Sequence, residues 1–553
     1  MKKVFQILCF ILIPALFFVG CSYTGTYNRN VGISDQGKTV VGTDYIEDDY
    51  DTDKEWSELT AEQIAAQNPI NEPDPGYYSS KYVFKFLGND TLPIGGYTQP
   101  NVYNLNTAED GVSLETYIRE YVESGCNIII ETSGAQTDVD QETLLRYLEQ
   151  YGGMAFMVTS QLANAQGAVK DEARKFGLQY DKYAKYSSFG GVHAIDEPGW
   201  VSWSEDYNTP GTLGYGQQIL NAVYNSKLYF VNLLPIYSPD WSFPNGATSG
   251  GSAGLDPSSD YNKYYASYVK NVKPKMFCYD YYPLKGSFPG LKDQHFLQLA
   301  LAKYYSTEFY QDYFGITDGT YIPFWNFIQI IGFGGTRGAT YPELVWQMNT
   351  ALNFGSKGFA YYTYYSPDAP NSVVTHGGAR TASYYNMQKA NQYTQAFAKW
   401  VLNADLDAII QYGATPNAES IPDRNATSNE DKMLVYKANG ADYEEYYYGM
   451  NMQKSNYRML KETSGDVAHL ISYMDYYTDN NNYDKFVAKG DARTQDLMFV
   501  TNNTLNKSGS VKLTFDEEVS GSYIVGAKTF SFSGDSLTVS LGAGEAFAVL
   551  LDA

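Results

Sequence analysis

The run His193-Ala194-Ile195-Asp196-Glu197-Pro198-Gly199-Trp200 sets two carboxylates side by side at the end of an apolar stretch. Pro-Gly continues a strand poorly, so the chain should turn there and present Asp196 and Glu197 outward. Two close anions raise one another's pKa, a condition that suits a general acid. The same residues could instead form an acidic turn that caps the next helix. A second stretch, Cys278-Tyr279-Asp280-Tyr281-Tyr282-Pro283, ends in a similar way and supplies Asp280 as a second candidate carboxylate. A third, Phe324-Trp325-Asn326-Phe327-Ile328-Gln329, ends in an amide where an acid would be more useful, and a fourth runs from Tyr361 through Tyr364 to Pro367.

Aromatic residues crowd the same segments: Trp200, Trp203, Tyr237, Trp241, Tyr282, Trp325 and Tyr364. Their flat faces suit ligands with apolar ring faces, while carboxylates and amides suit hydroxyls. Half of these rings would equally serve as ordinary packing. The candidate ligand contacts around Glu197 and Asp280 are therefore His193, Asp196, Trp200, Tyr282, Trp325, Gln329 and Tyr364.

Other chemistries find little support. The four histidines, His193, His295, His376 and His469, are scattered without paired ligand spacing, so no metal is expected. No G-x-S-x-G elbow and no Cys/His pair occurs, and no cofactor motif is found. The net charge of −23 repels phosphate backbones, so nucleic acid is not an expected partner. A neutral ligand meets no such penalty.

The elements that must hold these residues follow from the pattern of apolar runs. Eight short runs, at 92–97, 127–132, 154–159, 190–195, 229–237, 275–281, 324–330 and 358–364, alternate with longer helical stretches. One such stretch, 112–122, places Leu114, Tyr117, Ile118, Tyr121 and Val122 on a common face. Another opens with Thr340-Tyr341-Pro342-Glu343, a capping-box pattern with proline in the first turn, and continues through Leu344, Met348 and Leu352. The expected fold class is α/β, a (β/α)₈ TIM barrel, whose active sites lie at the C-terminal strand ends. A doubly wound open sheet is the alternative, but no Gly-rich phosphate loop follows the first run. Beyond residue 410 helices give way to period-two strands. Val511, Leu513 and Phe515 alternate with polar residues, as do Leu537, Val539 and Leu541, predicting an all-β sandwich over 410–553.

The N-terminal part predicts export. Lys2 and Lys3 precede the apolar run 4–19, and Gly20-Cys21 closes it as a lipoprotein junction, so 1–21 reads as a signal peptide with Cys21 the acylated first residue afterwards. The protein would be anchored to the bacterial membrane or cell surface through that lipid alone. Residues 22–79 are polar and acidic and read as a tether, leaving 80–409 for the barrel. Cys126 and Cys278 lie in or beside apolar runs and are expected as buried thiols.

Three segments, Gly191 to Trp200, Lys275 to Pro283 and Thr340 to Pro367, together with Leu541-Gly542-Ala543-Gly544-Glu545-Ala546, resemble clan A glycoside hydrolases of the beta-galactosidase-like group and related bacterial lipoproteins. The resemblance covers most of 80–553. It implies a carbohydrate substrate, an acid/base glutamate preceded by asparagine after the fourth strand, and a nucleophilic glutamate ending the seventh. Glu197 matches the first role, with Asp196 in place of the asparagine; Gln329 stands where the nucleophile belongs. That departure leaves an inverting enzyme with another base, a glycan-binding protein without catalysis, or a misplaced seventh strand. The working expectation is that Glu197 protonates the leaving oxygen and Asp280 faces it across a mouth lined by Trp325 and Tyr364. A separation of about 5–5.5 Å would imply a covalent intermediate and about 6.5–9.5 Å inversion.

Overall fold

The computed structural model describes residues 87, 90–130, 132, 137–238, 260–286, 295–317, 321–367, 369, 372–413, 434–435, 459–477 and 495–552. The expected signal peptide with Cys21, the acidic tether and Trp241 lie outside the described residues.

Eight parallel strands form the first sheet: β1 (Ile94–Gly96), β2 (Ile128–Ile129), β3 (Met154–Val158), β4 (Phe189–Asp196), β5 (Leu228–Asn232), β6 (Phe277–Tyr279), β7 (Phe324–Gln329) and β8 (Phe359–Tyr362). Their order, β5-β4-β3-β2-β1-β8-β7-β6, leaves β5 and β6 at the two ends. A parallel bridge from Leu233 to Tyr279 joins those ends. Leu233 N donates to Cys278 O at 2.9 Å and Asp280 N to Leu233 O at 3.3 Å. The sheet is thus closed into a barrel, and every one of the eight expected runs supplies one strand.

The barrel interior is apolar, filled by Ile128, Met154, Phe156, Leu228, Phe230, Trp325, Phe327 and neighbours. Two glycines make that packing possible. Gly191 has φ +144°, and a Cβ there would lie 2.1 Å from Leu228 O, so β4 and β5 approach closely only with glycine. A Cβ on Gly358 would stand 2.7 Å from the Trp325 indole nitrogen, so its absence makes room for that ring.

Outside the strands, helices bury their apolar faces against the sheet. The helix Leu114–Glu123 starts at Ser113, whose hydroxyl accepts from Thr116 N, and buries Tyr117, Ile118 and Tyr121 as its spacing predicts. The helix Tyr341–Asn353 opens with the expected capping box between Thr340 and Glu343. It is buried along most of its length because a second sheet covers its outer face.

That second sheet is antiparallel and begins at Ala404. Its strands are β9 (Ala404–Tyr412), β10 (Leu434–Val435), β11 (Leu460–Gly465), β12 (His469–Tyr476), β13 (Gln495–Asn502), β14 (Gly509–Val525), β15 (Lys528–Leu541) and β16 (Ala546–Leu551). The long strand β14 changes partners: its first half pairs with β11 and its second half with β16. A register shift between Thr514 and Val519 marks the bend, the usual means by which one strand serves both layers of a sandwich. Val511, Leu513, Phe515, Leu537, Val539 and Leu541 all point into its core. Polar side chains dock the sandwich onto the barrel. Trp346 Nε1 donates to Asn503 Oδ1 at 2.9 Å, Asn349 Nδ2 to Gly544 O at 2.9 Å, and Asn353 Nδ2 to Ser472 Oγ at 2.7 Å and Phe499 O at 2.9 Å. These residues recur every three or four positions, so one helical face carries the joint.

Candidate active site

Strand β4 delivers the adjacent acids to the mouth. Its pairing with β5 shifts register between His193 and Ile195, then resumes with Ile195 opposite Val231 and Asp196 opposite Asn232. Glu197 N still donates to Asn232 O at 2.9 Å, but Glu197 itself adopts φ +45° and turns the chain out of the sheet. A non-glycine residue in that region costs of order 1 kcal/mol and is over-represented where function fixes the backbone. The turn is held from outside by Tyr264, whose hydroxyl donates to Pro198 O at 2.8 Å.

Asp196 is exposed and held in a fixed orientation. Tyr97 donates its hydroxyl to Asp196 at 3.0 Å and Asn232 its amide at 2.9 Å. Glu197 sits at the rim with much of its surface open to water, yet its carboxyl end is crowded by protein. Both facts hold for a residue in a crevice. Burial raises its pKa, the Asp280 hydrogen bond opposes that, and the Asp196 charge adds to it.

Asp280 follows β6 and is only 3% exposed. Glu197 and Tyr282 are its neighbours in the cleft. One of its oxygens, Oδ1, has no partner. Burial holds the Asp280 pKa well above the carboxylate range, reinforced by the charge and hydrogen bond of Glu197 and the charge of Asp196. The two acids thus belong to one cleft and act on each other's titration.

Tyrosines wall the cleft. Tyr362 stands 5.1 Å from Tyr282, 6.0 Å from Tyr97 in a stacked arrangement and 4.9 Å from Phe333, measured between ring centroids. The Tyr237 hydroxyl accepts from Tyr282 N at 3.3 Å. Burial, then Asp280 and Glu197, push the Tyr237 hydroxyl to higher pKa, which keeps it a neutral donor. His193 lies beneath Tyr97 and beside Phe230 in edge-on contacts of 5.8 and 5.7 Å. Neither of its ring nitrogens makes a well-formed hydrogen bond. Burial lowers its pKa against the opposing influence of Asp196, so the imidazole is neutral near pH 7.

Asp196, Glu197, Asp280, His193, Tyr237 and Tyr282 are thus brought together. Trp200 lies beyond Glu197 on the short turn Trp200–Ser202, 39% exposed. Two other expected contacts, and the aromatic Trp203, are placed elsewhere. Trp325 is the second residue of β7 and lies deep in the barrel, stacked against Phe156. Tyr364 is fully buried on the outer side of the sheet, 4.7 Å from Tyr121. Trp203 packs against Tyr264 and Tyr268, its indole donating to Ser267. Neither Trp325 nor Tyr364 lines the mouth.

Gln329 is committed to holding loops. Its Nε2 donates to Leu284 O at 3.2 Å and Arg337 O at 2.8 Å, and its Oε1 accepts from Leu284 N at 2.8 Å. An amide satisfies both needs at once; a carboxylate would face two carbonyl oxygens. The seventh strand is placed as expected, with Gln329 at its end.

Three site residues escape the sequence reading: Tyr97, Asn232 and Tyr362. Asn232 and Tyr362 end their strands and Tyr97 directly follows β1; alternation offers a signal for Tyr362, since Ala360 and Tyr362 share the inner face of β8. Among the described residues no group of three or more His, Cys, Asp or Glu side chains could hold a metal ion.

No protein-family model matches the chain, and no curated protein matches it. Among solved structures, a GH42 beta-galactosidase from G. stearothermophilus is similar at 9% identity and a TM-score of 0.45, over 84% of this chain and 98% of that one. A GH30 endoxylanase from Clostridium papyrosolvens aligns at 11% identity and a TM-score of 0.33, over 84% and 97%. An Anoxybacillus alpha-amylase aligns at 9% identity and a TM-score of 0.39, over 84% and 98%.

Proposed function

We propose that this protein is an exported, lipid-anchored glycoside hydrolase that acts on a neutral or weakly charged oligo- or polysaccharide, with Glu197 as its general acid. The observation that carries the reading is the acid cluster at the C-terminal strand ends, Glu197 beside buried Asp280 and flanked by Asp196. Around it, Tyr97, Tyr237, Tyr282 and Tyr362 offer ring faces and hydroxyls together, the combination that a sugar presents in mirror image. Asp196, solvent-facing and oriented by two donors, is the carboxylate available for a second role toward water or the sugar. Trp200 at the rim suits a more distant ring. No cofactor is required by this chemistry, and the acidic surface disfavours nucleic acid.

Hydrolysis of a glycan panel by the wild type and by Glu197→Gln tests the reading. The variant should keep glycan affinity and lose at least about 100-fold in rate, the scale of a lost general acid. Unchanged turnover removes Glu197 from the mechanism. A second reading, glycan binding without cleavage, is favoured by the engagement of Gln329 with loop backbone; binding by the wild type without hydrolysis of any panel member would select it. The anchoring rests on the Gly20-Cys21 junction. Cys21→Ser should release unlipidated protein or stall processing, and unchanged mass and membrane fractionation would overturn it.

A further inference from the structure

A two-step hydrolysis needs a nucleophile as well as an acid, and position 329 supplies only an amide committed to loop backbone. The end of β1 offers another group. Tyr97 directly follows that strand, three strands from β4 in the sheet, yet its hydroxyl reaches the residue that precedes Glu197. It donates to Asp196 Oδ2 at 3.0 Å, in a bond open to solvent. Asp196 Oδ1 in turn accepts from Asn232 Nδ2 at 2.9 Å. The Cys278 thiol donates to Asn232 Oδ1 at 3.9 Å, which keeps the amide nitrogen turned toward the acid. A hydroxyl within about 2.6–3.2 Å of a base, with that base oriented by a third group, is the arrangement that activates a weak nucleophile.

Two further observations set Tyr97 apart from a tyrosine that only packs. The first is how firmly it is held. Tyr97 N donates to Tyr361 O at 3.1 Å, and Tyr97 O accepts from Tyr364 N at 2.9 Å and from the Thr363 hydroxyl. Its ring stacks on Tyr362 and meets His193 and Phe327 edge-on, each at 5.8 Å, while the hydroxyl end reaches exposed Asp196. The second is backbone strain. Thr98, the next residue, adopts φ +60°, a conformation that β-branched residues avoid. Glu197, directly after Asp196, has φ +45°. Both partners of the Tyr97–Asp196 bond are thus followed by a strained residue, and such strain collects where function fixes the backbone.

We infer that Tyr97 is the catalytic nucleophile, with Asp196 as its base and Asn232 as the positioning residue of that base. The inference rests on the hydrolase reading with Glu197 as acid. Tyr97 Oη attacks the anomeric carbon while its proton passes to Asp196 Oδ2. The bond from that carbon to the leaving oxygen breaks, the electron pair stays on the oxygen, and Glu197 gives it a proton. Water then attacks the same carbon of the glycosyl–tyrosine intermediate and loses its proton to the Glu197 carboxylate. The carbon–phenol bond breaks with its electron pair on Oη, and Asp196 returns the proton there. Two displacements at one carbon retain its configuration.

Dinitrophenyl glycosides of galactose, glucose and xylose, fluorinated beside the anomeric carbon, test this chemistry. The fluorine slows both displacements and the good leaving group restores only the first, so an intermediate accumulates. At least one of them should add a single fluorosugar to the full-length wild type, and peptide mapping should place it on Tyr97, which lies on a different tryptic peptide from Asp196. Proton NMR during hydrolysis of the unfluorinated glycoside should show the first-formed sugar with retained configuration. Tyr97→Phe preserves the ring and should lose at least about 100-fold in turnover with unchanged circular dichroism. An adduct on Asp196 or any other residue, an inverted product, or turnover by Tyr97→Phe within a few-fold of wild type would overturn the inference and leave the hydrolase reading standing. The wild-type adduct and stereochemistry decide the matter even if the variant fails to fold. Neither adduct nor hydrolysis with any of these sugars or the glycan panel would reject the hydrolase reading and the inference together.

Discussion

Substituting Gln329→Glu would seem to restore a missing nucleophile, yet the structure predicts an unstable barrel instead. The side chain is fully buried, and its amide gives one proton to Leu284 O and one to Arg337 O. A carboxylate gives none, so two backbone acceptors lose their donor, at about 1–3 kcal/mol for each buried group left unpaired. The Leu284 N–H remains satisfied, which offsets part of the loss. A new buried charge without a cationic partner adds to the cost, and a total near 3–5 kcal/mol follows from the scale of broken buried polar contacts. For a barrel of roughly 300 residues with the usual specific unfolding entropy, this lowers Tm by about 5–8 °C. Protonation would return one donor, so the deficit should shrink as pH falls below the raised pKa of the new acid. Scanning calorimetry of wild type and variant between pH 4 and pH 8 measures both effects. Equal stability at neutral pH, or a gain of glycan hydrolysis, would refute the reasoning and return position 329 to the reaction.

Asp280 ionises near pH 4 when unfolded and is held well above that in the fold, by burial first and by Glu197 next. Its stabilising contribution is therefore full below pH 4 and is lost as pH rises toward the folded value, by up to about 1.4 kcal/mol per pH unit. Asp280→Asn does not ionise, so its Tm relative to wild type should climb from pH 4 to pH 7, and parallel curves would contradict the buried acid. Asn353→Ala removes the donor to Ser472 Oγ and Phe499 O and should cost about 1–3 kcal/mol in urea unfolding; a neutral effect would mean that the barrel–sandwich joint does not depend on it. Burial pushes the Cys126 thiol up to about 12, so iodoacetamide at pH 8 should leave it unmodified until denaturant is added. Mass spectrometry showing native alkylation would place that thiol at the surface.

Much of the architecture was legible because its cause is local. A parallel strand covered on both faces must be apolar along its whole length, and the run at 324–330 became β7 (Phe324–Gln329) for that reason. The capping box at Thr340 needs only four consecutive residues to form, and it forms. Alternation over Val511, Leu513 and Phe515 reports one buried face wherever the strand lies. Cys126 and Cys278 are buried free thiols, as apolar neighbours suggested. The carboxylates at 196, 197 and 280 were legible too, since each ends an apolar run before proline.

The rest depended on partners remote in sequence. Tyr362 and Tyr364 look alike in the chain, but only Tyr362 keeps the inward alternation; beyond it the backbone turns outward, where Tyr364 N donates to Tyr97 O. Trp325 is kept from the mouth by its depth in β7, a matter of where each strand begins relative to its neighbours. Gln329 resembles a lost catalytic acid until the loops at Leu284 and Arg337 close on it. The sequence by itself determined that acids end β4 and β6, because strand ends are a local property. That Glu197 remains at the water's edge while Asp280 is sealed beneath it was decided only when the barrel closed. Exposure belongs to the packed assembly, and exposure sets which carboxyl can bear a charge.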